Sequence, residues 1–97
     1  MSMRRRFLVT YDIHHDRRRD RTHRVLLDFG DWVQYSVFLC ELDERERIRL
    51  RGRLDEVIDH REDQILSLDL GPADRDLDAV VSSLGRDFAT PARAVVI

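Results

Sequence analysis

From Phe7 to Ile13 the chain alternates as a strand. Phe7, Val9, Tyr11 and Ile13 fall on one side, and Leu8, Thr10 and Asp12 on the other. Both sets are mostly apolar, which predicts a central strand covered on two faces. At Asp16 the period becomes helical. Thr22, Val25, Leu26 and Phe29 line one side of a helix running to about Phe29, with Asp16 as its N-cap and Gly30 where a left-handed C-cap belongs. The stretch VQYSVFLCEL, Val33 to Leu42, is rich in β-branched and aromatic residues and predicts a second strand region. It is long for one strand, so a bulge or a tight bend is expected within it. Asp43 and Glu46 are spaced as a capping box for a second helix ending near His60, with Leu50, Leu54, Val57 and Ile58 on its apolar side. Gly52 weakens that helix by about 1 kcal/mol. Gln64 to Leu70 reads as another strand, stopped by Gly71-Pro72.

The resulting order, β-α-β-(β)-α-β, predicts an α+β ferredoxin-like sandwich forming a single domain over residues 1–97. Two helices in this plan cover one face of the sheet. Leu8 and Thr10 make the other face too apolar to stay wet, so a homodimer is expected. Asp76 to Leu84 reads as either a short helix or a strand. Ala94 to Ile97 (AVVI) reads as an extra C-terminal strand, and residues 72–97 are expected to pack on the partner subunit.

Charge changes this picture more than composition does. Residues 1–24 carry eight arginines against three aspartates, a net +5, whereas residues 25–97 carry nine arginines against sixteen acids, a net −7. Every basic residue is arginine, which a GC-rich genome explains, but genome bias does not concentrate positive charge at one end. A local basic patch on an acidic chain points to a polyanion partner. No apolar run is long enough to span a membrane, the N-terminus lacks the pattern of a signal peptide, and Cys40 is the only cysteine. Together these predict a cytoplasmic protein without a membrane partner.

Arg17, Arg18 and Arg19 fall in the first helical turn, where the dipole disfavours cations by about 0.3–1 kcal/mol each. A helix N-terminus with free N–H groups, beside arginine forks that match phosphate oxygens, suits a bound phosphate. Read alone, the same run is also an ordinary solvated face. Asp12 closes the first strand on the face assigned to a partner. One carboxylate is a poor cage, but two copies across a two-fold axis could share one Mg²⁺. His14 and His15 lack the companions needed for zinc, and His23 and His60 read as helix-surface residues. Cys40 reads as strand packing. Gln34 and Ser36, polar among apolar neighbours, fit either a bend or a ligand contact.

Taken together, VTYDI (Val9–Ile13), the following DRRRDR, VQYSVFLCEL, ILSLDLGPAD (Ile65–Asp74) and LGR (Leu84–Arg86) resemble the Cas2 family of CRISPR-associated proteins over nearly the whole chain. The resemblance implies a ferredoxin-like homodimer that bridges copies of the Cas1 integrase in spacer acquisition, with duplex DNA lying across it. It also implies a divalent-metal site, Mg²⁺ or Mn²⁺, shared between subunits at Asp12. By the same likeness Arg17, Arg18 and Arg19 lie near the nucleic-acid backbone, and Tyr11, Ser36 and Phe38 line the cleft. Some members cleave phosphodiesters in single-stranded RNA or DNA and others act as scaffolds. A toxin-like endoribonuclease (interferase) and a non-catalytic ligand-binding module of the same fold are the competing readings. The His14-His15 pair and the tail SSLGRDFATPAR depart from the commoner family pattern.

Overall fold

The computed structural model describes residues 3–88. The elements are β1 (Arg5–Asp12), α1 (Asp16–Leu27), β2 (Gly30–Gln34), β3 (Val37–Leu42), α2 (Glu44–Val57) and β4 (Gln64–Pro72), followed by a 3₁₀ turn at Leu77–Ala79. The strands form one sheet in the order β2-β3-β1-β4, and every neighbouring pair is antiparallel. This is the ferredoxin-like arrangement with β1 central, as the two-sided apolar pattern predicts.

The pleat of β1 divides its side chains between two environments. Phe7, Val9, Tyr11 and Ile13 enter the core, where they meet Phe38, Cys40 and Leu42 of β3 and Val25, Leu26, Leu50 and Leu54 of the helices. Leu8, Thr10 and Asp12 project to the opposite, helix-free side, opposite Leu68, Leu66 and Gln64 of β4. Leu66 and Leu68 remain 49% and 46% exposed there.

Several boundaries differ from the sequence expectation, each for a local physical reason. His15, not Asp16, caps α1: it is extended at φ −75°, ψ 120°, and its side chain accepts from the Arg18 N–H. Asp16 is the first helical residue, and its carboxylate accepts from Arg19 at 2.7 Å. The helix ends at Leu27, and its C-cap is Asp28 in the right-handed region. Gly30 is therefore no left-handed cap. It opens β2, where a Cβ would strike the Cys40 Sγ and lie 2.5 Å from the Leu39 carbonyl, so close strand approach requires glycine. Phe29 still packs on the core, from outside the helix.

The second strand region is a hairpin, β2 and β3, that holds both a bend and a register shift where one of the two was expected. Its chain turns at Tyr35-Ser36, and the β2–β3 register shifts between Trp32 and Gln34. The capping box forms as expected: Asp43 accepts from the Glu46 N–H at 2.8 Å, and Glu46 accepts from the Asp43 N–H at 3.0 Å. The helix it opens ends at Val57, short of His60. β4 ends within Gly71-Pro72 as expected, at Pro72 and two residues beyond Leu70. Gly71 takes φ +99° within a register shift, and the strand continues through it to pair Pro72 with Arg5. Between Asp76 and Leu84 only the 3₁₀ turn is regular, and the expected strand at Ala94–Ile97 lies outside the described residues.

Candidate functional site

Of the arginines concentrated near the N-terminus, most are committed to the fold. Arg4 reaches Glu46 at 2.5 Å, and the Arg5 Nε donates to Asp69 at 2.9 Å. Arg6 is 7% exposed and donates to the Ala73 and Arg75 carbonyls at 2.9 and 3.0 Å, tying the segment after β4 to the sheet. Arg18 grips Asp63 with two bonds, 2.7 and 3.2 Å, and reaches Glu62 at 3.0 Å. The Asp63 carboxylate is only 1% exposed. Arg18 holds its carboxyl below the ordinary carboxylate range, with the Asp59 N–H assisting. Arg19 pairs with Asp16 and donates to the Ile13 and His14 carbonyls, bracing the β1–α1 turn.

Arg17 is different. It is exposed, and its guanidinium has no hydrogen bond or ion pair among the described residues. Arg21 and Arg24 share that state, and their i, i+4, i+7 spacing puts all three along one outward stripe of α1. The sequence reading named Arg17, Arg18 and Arg19 as a block. Helical spacing could have selected Arg21 and Arg24 beside Arg17, because consecutive residues leave a helix in different directions.

Asp12 ends β1 on the helix-free side, and its side chain is 75% exposed. The His14 Nε2 lies 3.4 Å from its Oδ1. No three His, Cys, Asp or Glu side chains converge among the described residues. One protomer thus offers one carboxylate and one neighbouring imidazole. That set suits a hard divalent ion keeping most of its waters, and a second carboxylate would have to come from a second copy.

Two of the three residues expected to line a cleft with Asp12, Tyr11 and Phe38, do not share its side of the sheet. Tyr11 and Phe38 lie in the helix-side core, with ring centroids 6.5 Å apart, and Phe38 is fully buried. Ser36 sits at the hairpin tip in the left-handed region, φ 63°, and its carbonyl accepts from the Tyr11 N–H at 3.1 Å. This bond joins the hairpin tip to the strand end that carries Asp12. Burial pushes the Tyr11 hydroxyl upward in pKa, with a Ser36 side-chain bond acting against it. Cys40 packs in the core as expected, and burial pushes its thiol up to about 12, far from a reactive thiolate.

The sequence reading did not single out Trp32 or connect it to His23. The His23 ring stands edge-on between Trp32 and Phe38, with centroids 5.0 and 5.1 Å away, and its Nδ1 lies 3.3 Å from the Tyr11 hydroxyl. A recess of 190 Å³ opens beside them.

The sequence and fold match known proteins closely. The family model for CRISPR associated protein Cas2 matches residues 3–76. A CRISPR-associated endoribonuclease Cas2 of Geobacter sulfurreducens is 41% identical, over 94% of this chain and 95% of its own. A second, of Rhodospirillum rubrum, is 42% identical over 94% of this chain and 88% of its own. The crystal structure of Streptococcus pyogenes Cas2 superposes with a TM-score of 0.72 at 30% identity, covering 82% of this chain and 99% of that one. With the matched region spanning β1 through β4 and the first turn beyond it, this chain belongs to the Cas2 family of CRISPR-associated proteins.

Proposed function

We propose that this chain serves CRISPR adaptation as a nucleic-acid-binding homodimer that bridges Cas1 integrase subunits, and that paired Asp12 residues give it metal-dependent phosphodiesterase activity. The observation carrying this reading is the helix-free face of the sheet. Leu8, Leu66 and Leu68 place apolar surface in solvent there, and the same face ends in the Asp12 carboxylate. Pairing two such faces removes the apolar surface from water and can bring one carboxylate from each protomer toward a shared cation. Asp12 and its partner copy would hold Mg²⁺ or Mn²⁺, which when bound supplies an activated water and neutralises charge on a phosphodiester.

The chain's own residues account for the rest. Arg17, Arg21 and Arg24 offer unpaired guanidinium groups to phosphate oxygens of duplex DNA or single-stranded RNA. Arg18 and Arg19 support them indirectly, Arg18 by fastening α1 to Asp63 and Arg19 by bracing the turn after Asp12. His14 lies 3.4 Å from Asp12 and stands beside the proposed metal position. The relatives named endoribonucleases support cleavage of RNA in particular.

Cleavage of single-stranded RNA and duplex DNA by wild type and Asp12→Ala, with Mg²⁺ titrated, tests the catalytic part. Metal-dependent cleavage lost in Asp12→Ala is expected. Equal cleavage by both proteins removes Asp12 from the chemistry, and binding without any cleavage leaves the scaffold function alone.

A further inference from the structure

The recess beside His23 lies on the helix side of the sheet, away from the face assigned to a second copy. Two large aromatic side chains border it while remaining in water: Trp32 is 56% exposed and Tyr35 is 75% exposed. Neither exposure is required by packing, since the core closes on Phe38 beneath them. Tyr35 is held at the hairpin tip by Ser36, whose φ of 63° is unfavourable for a residue with a side chain. The bond from the Tyr11 N–H to the Ser36 carbonyl fixes that conformation. Trp32 is backed by the His23 ring, which the Tyr11 hydroxyl restrains from behind. Trp32 is therefore backed by a packed ring, and Tyr35 stands on a hydrogen-bonded turn.

The polar rim is equally specific. Arg19 is locked by Asp16 and two carbonyls, so it forms a fixed wall. Asp20 also lines the recess, and no hydrogen bond or ion pair among the described residues engages its carboxylate. At 190 Å³ the space is smaller than the roughly 300–1,000 Å³ of typical ligand pockets, so it suits one ring and not a whole base pair. Solvated aromatic faces with a free acceptor beside them are what an unstacked base uses, stacking on the rings and donating from its amino edge. The α1 stripe of Arg17, Arg21 and Arg24 starts from the same helix and could carry the attached strand's phosphates.

We propose that this recess receives one unpaired nucleobase of a bound strand, stacked on Trp32 and Tyr35 with its amino group directed to Asp20. The assignment rests on the nucleic-acid reading above and adds a distinction that reading lacks, between frayed or single-stranded ends and blunt duplex.

Trp32 is the chain's sole tryptophan, so its fluorescence reports this site alone. The test compares three DNA duplexes of equal paired length: blunt, with a four-nucleotide dC overhang, and with an abasic overhang carrying the same phosphates. The dC overhang is expected to bind about 5- to 100-fold tighter than the abasic one and to quench Trp32 fluorescence. Tyr35→Ala should abolish that advantage while leaving blunt-duplex affinity and Tm unchanged, and Trp32→Phe should retain most of it. Equal affinity for dC and abasic overhangs, with no fluorescence change, overturns the proposal. So does quenching by free cytidine monophosphate at the same concentration as by the overhang, which would make the recess a mononucleotide site. Failure of all three duplexes to bind overturns the nucleic-acid reading itself, and the base site with it.

Discussion

The two faces of β1 are built from the same strand and hold opposite fates. Toward the helices, Phe7, Val9 and Tyr11 are each under one-tenth exposed and make the core. On the other side Leu8 and Thr10 stand beside Leu66 and Leu68, which keep about half their surface in water. Alternation alone cannot tell these faces apart, since both read as apolar. The difference comes from which side two helices of twelve and fourteen residues can reach. An apolar face left partly exposed in a chain this small is what the proposed pairing of two copies would cover. The charged residues divide in the same way: Arg18 is consumed in holding the fold, and Arg17 next to it has no partner among the described residues.

The largest effect should come from the covered face. Phe38→Ala empties a fully buried site and should cost about 3–5 kcal/mol in denaturant unfolding. The matching change on the open face, Leu68→Asp, should leave protomer secondary structure intact by circular dichroism, and where wild type sediments as the proposed dimer the variant should sediment as a monomer. If Leu68→Asp still sediments as a dimer, the bare face is not where copies meet.

The arginines give the next pair. Asp63→Asn removes the partner that Arg18 grips and should lower Tm, whereas Arg17→Gln should leave Tm unchanged. The pH dependence carries a defined sign. Asp63 has a folded pKa below its ordinary value of 3.8, so its stabilisation is complete above that pH and fades as pH falls through the lower folded value. Wild type should therefore lose stability in acid below about pH 4, and Asp63→Asn should lack that component. An identical acid limb in both proteins would place the proton uptake elsewhere.

The smallest expected effect is on nucleic-acid binding by a single arginine. Arg17→Gln should weaken duplex binding across all sequences and reduce the slope of log affinity against log salt by about 1 per protomer. Arg18→Gln, in contrast, should lower Tm. If Arg18→Gln instead mimicked Arg17→Gln, with no loss of Tm, the division between structural and outward-facing guanidinium groups would fail.

Much of this architecture was legible in the chain itself. The alternation of Phe7 to Ile13, the helical spacing of Thr22, Val25 and Leu26, and the Asp43–Glu46 box all report short-range geometry, which a sequence states directly. Gly30 was misread because its reason lies across the sheet, in Cys40 and Leu39, where no local pattern records it. The stop at Gly71-Pro72 was legible, but the strand runs two residues past Leu70 because a bulge in the pairing with β1 absorbs Gly71. The aromatic recess went unseen for a related reason. Tyr11, His23 and Trp32 are far apart in the chain, and only the packing of α1 over the hairpin makes them neighbours.

The sequence by itself determined the order of elements, the central position of β1, the basic bias of the N-terminal quarter and the family to which these belong. Tertiary structure decided which arginines are spent on carboxylates and carbonyls, which side of the sheet the helices leave uncovered, and that Phe38 joins Tyr11 on the side opposite Asp12. The division follows from range. Periodicity and capping are set within a few residues, whereas ion pairing and burial depend on partners supplied by distant segments once the chain has closed on itself.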